Sequence, residues 1–88
     1  LEFTKVALAD IEKHKKVGDK AVLRKIARLL DEIKVNPFHG VGQIELLKYG
    51  LAGKQSRRIN QKHRLVYSVE EEIITVHVLS LWGHYGDK

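Results

Sequence analysis

Three arginines, Arg57, Arg58 and Arg64, fall in two neighbouring segments of alternating pattern within a chain of 88 residues. Alternation along a strand sends Arg57 and Arg58 to opposite faces, so one of them is cut off from water unless the second face of the sheet is open. An open face lined with arginine suits a phosphate, because the guanidinium fork matches phosphate oxygens. The plainer alternative is ion pairing across strands, or with Glu45 and Glu70. There are also five histidines, His14, His39, His63, His77 and His84. None has the short paired spacing of a zinc site and no cysteine accompanies them, so neither a catalytic metal nor a cofactor is expected. His77 reads as a packed or edge histidine of a strand. His84-Tyr85 differs, because Gly83 and Gly86 bound it and packing does not dictate its place. A histidine there can serve as an acid or base near neutral pH, or the segment is simply an exposed tail.

Taken together, these types match one chemistry. Metal-free RNA cleavage needs a base for the 2′-hydroxyl, a cation for the crowded phosphorane and an acid for the leaving 5′-oxygen. Glu45, the arginines and His84 supply that set by type. Their spacing along the chain does not show that they meet.

Two helices and a run of strands must do the positioning. Leu1–Thr4 reads as a short first strand. Thr4 or its successor opens a helix through about Lys16, with Leu8 and Ile11 on one side. Gly18 is placed to stop it and Asp19 to cap the next. Over Lys20–Val35, Val22, Ile26, Leu29, Leu30 and Ile33 recur at helical spacing as one buried stripe, with Lys20, Arg24, Lys25 and Arg28 facing outward. The short link implies an antiparallel helical hairpin. Asn36-Pro37 ends the second helix, and Phe38–Gly42 is a loop. Ile44–Lys48 is short and extended, and residues 49–53 turn the chain. Gln55–Asn60 is a strand, followed by a tight turn at Gln61-Lys62. His63–Val69 alternates, with Leu65, Tyr67 and Val69 on one face and Arg64, Val66 and Ser68 on the other. Glu70–Glu72 is a polar turn and Ile73–Ser80 a β-branched strand. The fold class expected is α+β, a helical hairpin covering one face of a mostly antiparallel sheet of about four strands, in a single domain over residues 1–88.

Composition agrees with a small globular domain whose stability rests on packing and backbone pairing alone. Hydrophobic residues make up 43% of the chain, with one proline and no cysteine. Sixteen lysines and arginines against eleven acids give a formal charge of +5, which favours a polyanionic partner. No apolar stretch is long enough to span a membrane, and Leu1–Asp10 lacks the pattern of a signal peptide, so a cytoplasmic protein is expected.

Several blocks resemble the YoeB/Txe toxins of the RelE/ParE superfamily. Gly42-Gln43-Ile44-Glu45-Leu46-Leu47-Lys48 followed by Leu51-Ala52-Gly53 is similar to the family's G-K-P-E-P-L-K…L-S-G segment. Ser56-Arg57-Arg58-Ile59 and His63-Arg64-Leu65-Val66-Tyr67 match its S-R-R-I and H-R-L-V-Y blocks, and His84-Tyr85 its terminal pair. Lys25-Ile26, Leu29-Leu30 and Asn36-Pro37-Phe38 fall where the family has its second helix and following loop. The resemblance implies a RelE-like fold and an endoribonuclease that cuts messenger RNA in the A site of the 70S ribosome. By position, it implies Glu45 as general base, Arg64 as the main phosphate-stabilising cation and His84 as general acid, with Tyr85 beside it. Lys48 and Arg58 become supporting cations. It further implies neutralisation by a cognate YefM/Axe-like antitoxin, through which alone operator DNA would be bound, and a possible homodimer. In this light Lys20, Arg24, Lys25 and Arg28 become candidates for ribosomal RNA contact, against the alternative of a solvated helix face.

The chain departs from the family pattern at several points. Ile44 and Leu46 replace prolines beside the glutamate, Gln55 replaces a frequent aromatic residue, and Lys62 replaces a common acid. Gly86-Asp87-Lys88 extend past the His-Tyr pair. Two rival functions keep the fold: a ParE-like binding protein that inhibits DNA gyrase, and an inactive relative serving as operon co-repressor.

Overall fold

The computed structural model describes residues 1–38, 40, 44–46, 54–70 and 75–83. The chain opens with strand β1 (Glu2–Phe3), continues through helices α1 (Lys5–Val17) and α2 (Lys20–Val35), and then forms β2 (Ile44–Leu46), β3 (Lys54–Arg58), β4 (Arg64–Glu70) and β5 (Thr75–Ser80). The helix boundaries follow from side-chain capping. Thr4 accepts the Ala7 N–H at α1, and Asp19 accepts the N–H groups of Ala21 and Val22 at α2. Gly18 ends α1 in the left-handed conformation, φ 75°, that glycine alone adopts without strain. Asn36 takes an extended backbone ahead of Pro37 and closes α2.

The sheet has five strands in the order β1-β5-β4-β3-β2, one more than the pattern suggested. The additional strand is β2, three residues that pair antiparallel with β3. All pairings are antiparallel except β1 with β5, which run parallel at the far edge. Ile73, part of the expected last strand, and Lys48, part of the expected extended segment, lie outside the described residues.

The core sits between the helices and one sheet face. Ala7 from α1 and Ile26, Leu29 and Ile33 from α2 pack with Leu65, Tyr67, Val76, Val78 and Leu81. Each fully buried aliphatic side chain stabilises the fold by about 1.5–3 kcal/mol, and Leu29, Ile33, Leu65, Val78 and Leu81 have no exposed surface. Leu8, assigned to the inner side of α1 from the sequence, is 53% exposed. The inward arc of that helix carries Ala7, Asp10 and His14 instead, with Ile11 half-buried beside it.

A bulge between β4 and β5 shapes the end of the sheet. Val66 pairs with Ser80 and Tyr67 with Val78, which leaves Leu79 as the extra residue. The Leu79 carbonyl accepts the Thr4 hydroxyl at 2.8 Å, so the cap of α1 also ties that helix to the bulge. Among the described residues, no helix is long and apolar enough to cross a membrane.

Candidate active site

Register decides which side chains share the face that the helices leave uncovered. Leu65, Tyr67 and Val78 point into the core, so their sequence neighbours point the other way. Glu45 pairs with Ser56, Ser56 with Val66, and Arg58 with Arg64. Glu45, Ser56, Arg58, Arg64 and Val66 therefore lie on one surface, together with Lys54 and Ser68. Arg58 and Arg64 stand directly opposite each other on neighbouring strands. With strands about 4.8 Å apart and residues about 3.4 Å apart along each, the Glu45 and Arg64 Cα atoms are roughly 12 Å apart. Glu45 is exposed, and Arg58 and Arg64 are half-buried.

The two cations differ in how they are held. Arg64 Nη1 donates to the Asn60 carbonyl at 2.6 Å and the His63 carbonyl at 3.1 Å, which anchors one edge of its guanidinium on the β3–β4 turn. That turn is built by Asn60, whose side-chain oxygen accepts the N–H groups of Lys62 and His63. Among the described residues, neither Arg58 nor Arg64 forms an ion pair with an acid. Ion pairing with Glu45 or Glu70 is thus not what holds them. Glu70 lies 3.4 Å from His77, which also meets Glu2 at 3.5 Å.

Arg57 is the arginine that alternation sends inward. It is fully buried. Its Nε donates to the Tyr67 hydroxyl at 3.1 Å, Nη2 donates to the Asn36 carbonyl, and Nη1 lies 3.9 Å from Glu32. The Tyr67 hydroxyl donates to the Pro37 carbonyl at 2.7 Å, with Gln55 Oε1 3.0 Å away. This cluster joins β3 and β4 to the end of α2. Gln55 belongs to it. Arg57 supports the sheet from behind and contributes nothing to the open face.

A second polar cluster, which periodicity did not reveal, lies at the other end of β4. His14, His63 and Trp82 pack their rings with centroids 4.4–4.8 Å apart. His14 Nε2 donates to the Leu81 carbonyl at 2.8 Å, and the Leu81 N–H donates to Asp10 at 2.9 Å. Burial, with the nearby His14 and Lys62 charges, pushes the His63 pKa down from its ordinary value, against a smaller upward pull from Asp10. The sequence did carry a signal. Ala7, Asp10, Ile11 and His14 recur at helical spacing, and the two polar members of that arc are the ones that reach the chain after β5.

Of the remaining candidates, Lys20, Arg24 and Arg28 are exposed on α2 and Lys25 is half-buried. Lys48, His84 and Tyr85 lie outside the described residues, as does His39. Residues 3–85 match the family model for the YoeB-like toxin of the bacterial type II toxin–antitoxin system. The toxin YoeB of Escherichia coli K12 is 41% identical over 58 residues, which cover 66% of this chain and 69% of that protein. A YoeB/ParE toxin structure from Agrobacterium tumefaciens, 34% identical, covers 96% of both chains with a TM-score of 0.87. Two Staphylococcus aureus structures, a YoeB dimer (38% identical) and a YoeB–YefM complex (36%), each cover 96% of this chain and 94% of theirs with a TM-score of 0.80. An α+β sheet of this topology under two helices is a RelE-like toxin fold. The chain belongs to the YoeB-like family of type II toxin–antitoxin toxins.

Proposed function

We propose that the chain is a ribosome-dependent endoribonuclease that cuts messenger RNA in the A site without a metal. The observation that supports this reading is the register, by which Glu45, Arg58 and Arg64 share the sheet face opposite the helices. Glu45 takes the proton of the 2′-hydroxyl, and the freed oxygen attacks the adjacent phosphorus. Arg64, with Arg58 and Lys48 in support, neutralises the charge that gathers on the phosphorane. His84 protonates the departing 5′-oxygen, with Tyr85 orienting the substrate beside it. The products are a 2′,3′-cyclic phosphate or 3′-phosphate on one fragment and a 5′-hydroxyl on the other. The partners in this reading are the 70S ribosome, mRNA and a YefM-like antitoxin, with self-association as a homodimer and a cytoplasmic location. The Staphylococcus aureus complexes support the antitoxin and dimer parts by similarity.

End mapping tests the reading. Purified protein incubated with programmed 70S ribosomes should cut the message at codon-associated positions and leave 5′-hydroxyl ends, while naked mRNA stays largely intact. Glu45→Gln and Arg64→Ala should each lower the rate by at least about a hundredfold. Cleavage that leaves 5′-phosphate ends, or that persists at full rate in both variants, overturns the mechanism.

A further inference from the structure

Gly83 is the residue before His84, and two hydrogen bonds from neighbouring side chain and backbone hold it. Its N–H donates to His63 Nδ1 at 2.9 Å, and its carbonyl accepts the N–H of Arg64 at 2.9 Å. His63 and Arg64 are consecutive, so the imidazole and the start of β4 grip both sides of one glycine. Gly83 has φ 79°, the left-handed region in which any side chain adds strain. From this geometry we infer that His63 is a positioning residue, whose neutral imidazole clamps Gly83 beside Arg64 and so fixes the point from which the chain continues to the proposed acid, His84. This inference rests on the nuclease reading only for its catalytic consequence. The clamp itself is a property of the fold.

The imidazole can accept at Nδ1 only in the form that carries its proton on Nε2. Protonation of the ring turns the acceptor into a donor facing an N–H, and the clamp opens. The groups around the ring are His14 and Asp10 from α1, Lys62 from the β3–β4 turn and Trp82 after β5. Lys13 from α1 and Lys62 both stand over the Trp82 ring, at 5.4 and 5.7 Å from its centroid. Burial disfavours an imidazolium most, followed by His14 and Lys62, against a smaller opposite pull from Asp10. The clamp is therefore closed at neutral pH and opens only on acidification, below the ordinary histidine range. The backbone of His63 is engaged separately, by Asn60, Ile59 and Arg64. A side-chain change at 63 leaves those bonds available.

Asparagine places its Oδ1 where histidine has Nδ1, so His63→Asn preserves an acceptor that acid cannot remove. His63→Ala deletes the acceptor. His63→Gln carries its amide one methylene too far and provides a second loss variant should alanine leave the chain unfolded. Two readouts are paired. In the first, the Gly83 amide should resist hydrogen exchange at pH 7 in the wild type and in His63→Asn, and exchange freely in the other two. In the wild type alone that protection should disappear as the pH falls. In the second, ribosome-dependent cleavage should fall at least about tenfold in kcat, with KM for ribosomes unchanged, in His63→Ala and His63→Gln. His63→Asn should cut within a few-fold of wild type and keep its activity to lower pH. A wild type that does not cut removes the nuclease reading, and amide exchange then decides the clamp by itself. An unprotected Gly83 amide at pH 7, or full activity in both loss variants despite a freed amide, overturns the inference.

Discussion

At the scale of single residues, two arginines adjacent in sequence take opposite roles because a strand alternates. Pattern says only that the two face opposite ways; the register puts Arg57 in the core and Arg58 on the other face. Which neighbours accept the buried charge was not legible, since Glu32 and Asn36 belong to the second helix and its cap, far away in sequence. Tyr67 is the hub of that arrangement, accepting from Arg57 and donating to Pro37. Removing its hydroxyl deletes two buried hydrogen bonds, from Arg57 Nε and to the Pro37 carbonyl. Tyr67→Phe should therefore destabilise the fold by about 1–3 kcal/mol. In a domain of this size that lowers Tm by roughly 4–8 °C for each kcal/mol. Calorimetry of the variant checks it, and the cutting rate of the folded protein should stay near wild type, because the hydroxyl points away from Glu45 and Arg64. An unchanged Tm would mean that Arg57 finds a substitute partner.

Elements were legible where their signals are local and obscure where pairing is distant. The helix limits follow from Thr4, Gly18, Asp19 and Asn36, all adjacent to the helices they bound. The faces of β4 follow from Leu65 and Tyr67 alternating with Arg64 and Val66. By contrast, β1 and β2 fall within segments read as extended, Leu1–Thr4 and Ile44–Lys48, but with two and three residues their partners are fixed only by folding. The site inherits this division, since Glu45 lies on β2 and reaches the arginines only through that pairing. The two N-caps give a measurable contrast. Asp19 serves α2 alone, at an exposed position, whereas the Thr4 hydroxyl also donates to the Leu79 carbonyl at the bulge. Asp19→Ala should cost about 1 kcal/mol and Thr4→Ala about 2 kcal/mol. Urea unfolding of both variants reads the difference. Equal losses would show that the bond to Leu79 adds nothing to the cap.

On the scale of the whole molecule, positive charge occupies two opposite sides. The helices cover one sheet face, so the outer surface of α2, with Lys20, Arg24 and Arg28, points away from the face that holds Glu45, Arg58 and Arg64. The proposed nuclease, which would sit inside a ribonucleoprotein while reaching a separate RNA strand, has use for both surfaces. In the proposed reading the helix face docks on ribosomal RNA phosphates, while the sheet face meets the message. The two surfaces should then separate kinetically. Replacing Lys20, Arg24 and Lys25 with glutamine should weaken ribosome binding and reduce the slope of log affinity against log salt by about 2–3, one counterion released for each phosphate lost. Its kcat at saturating ribosomes should hold, since none of the three approaches the open face. Arg58→Gln should do the reverse, lowering kcat while leaving the salt slope within about one unit of wild type. Should the triple substitution leave binding and its salt dependence unchanged, the helix face is solvated surface, and the docking force must come from the sheet side and its edges.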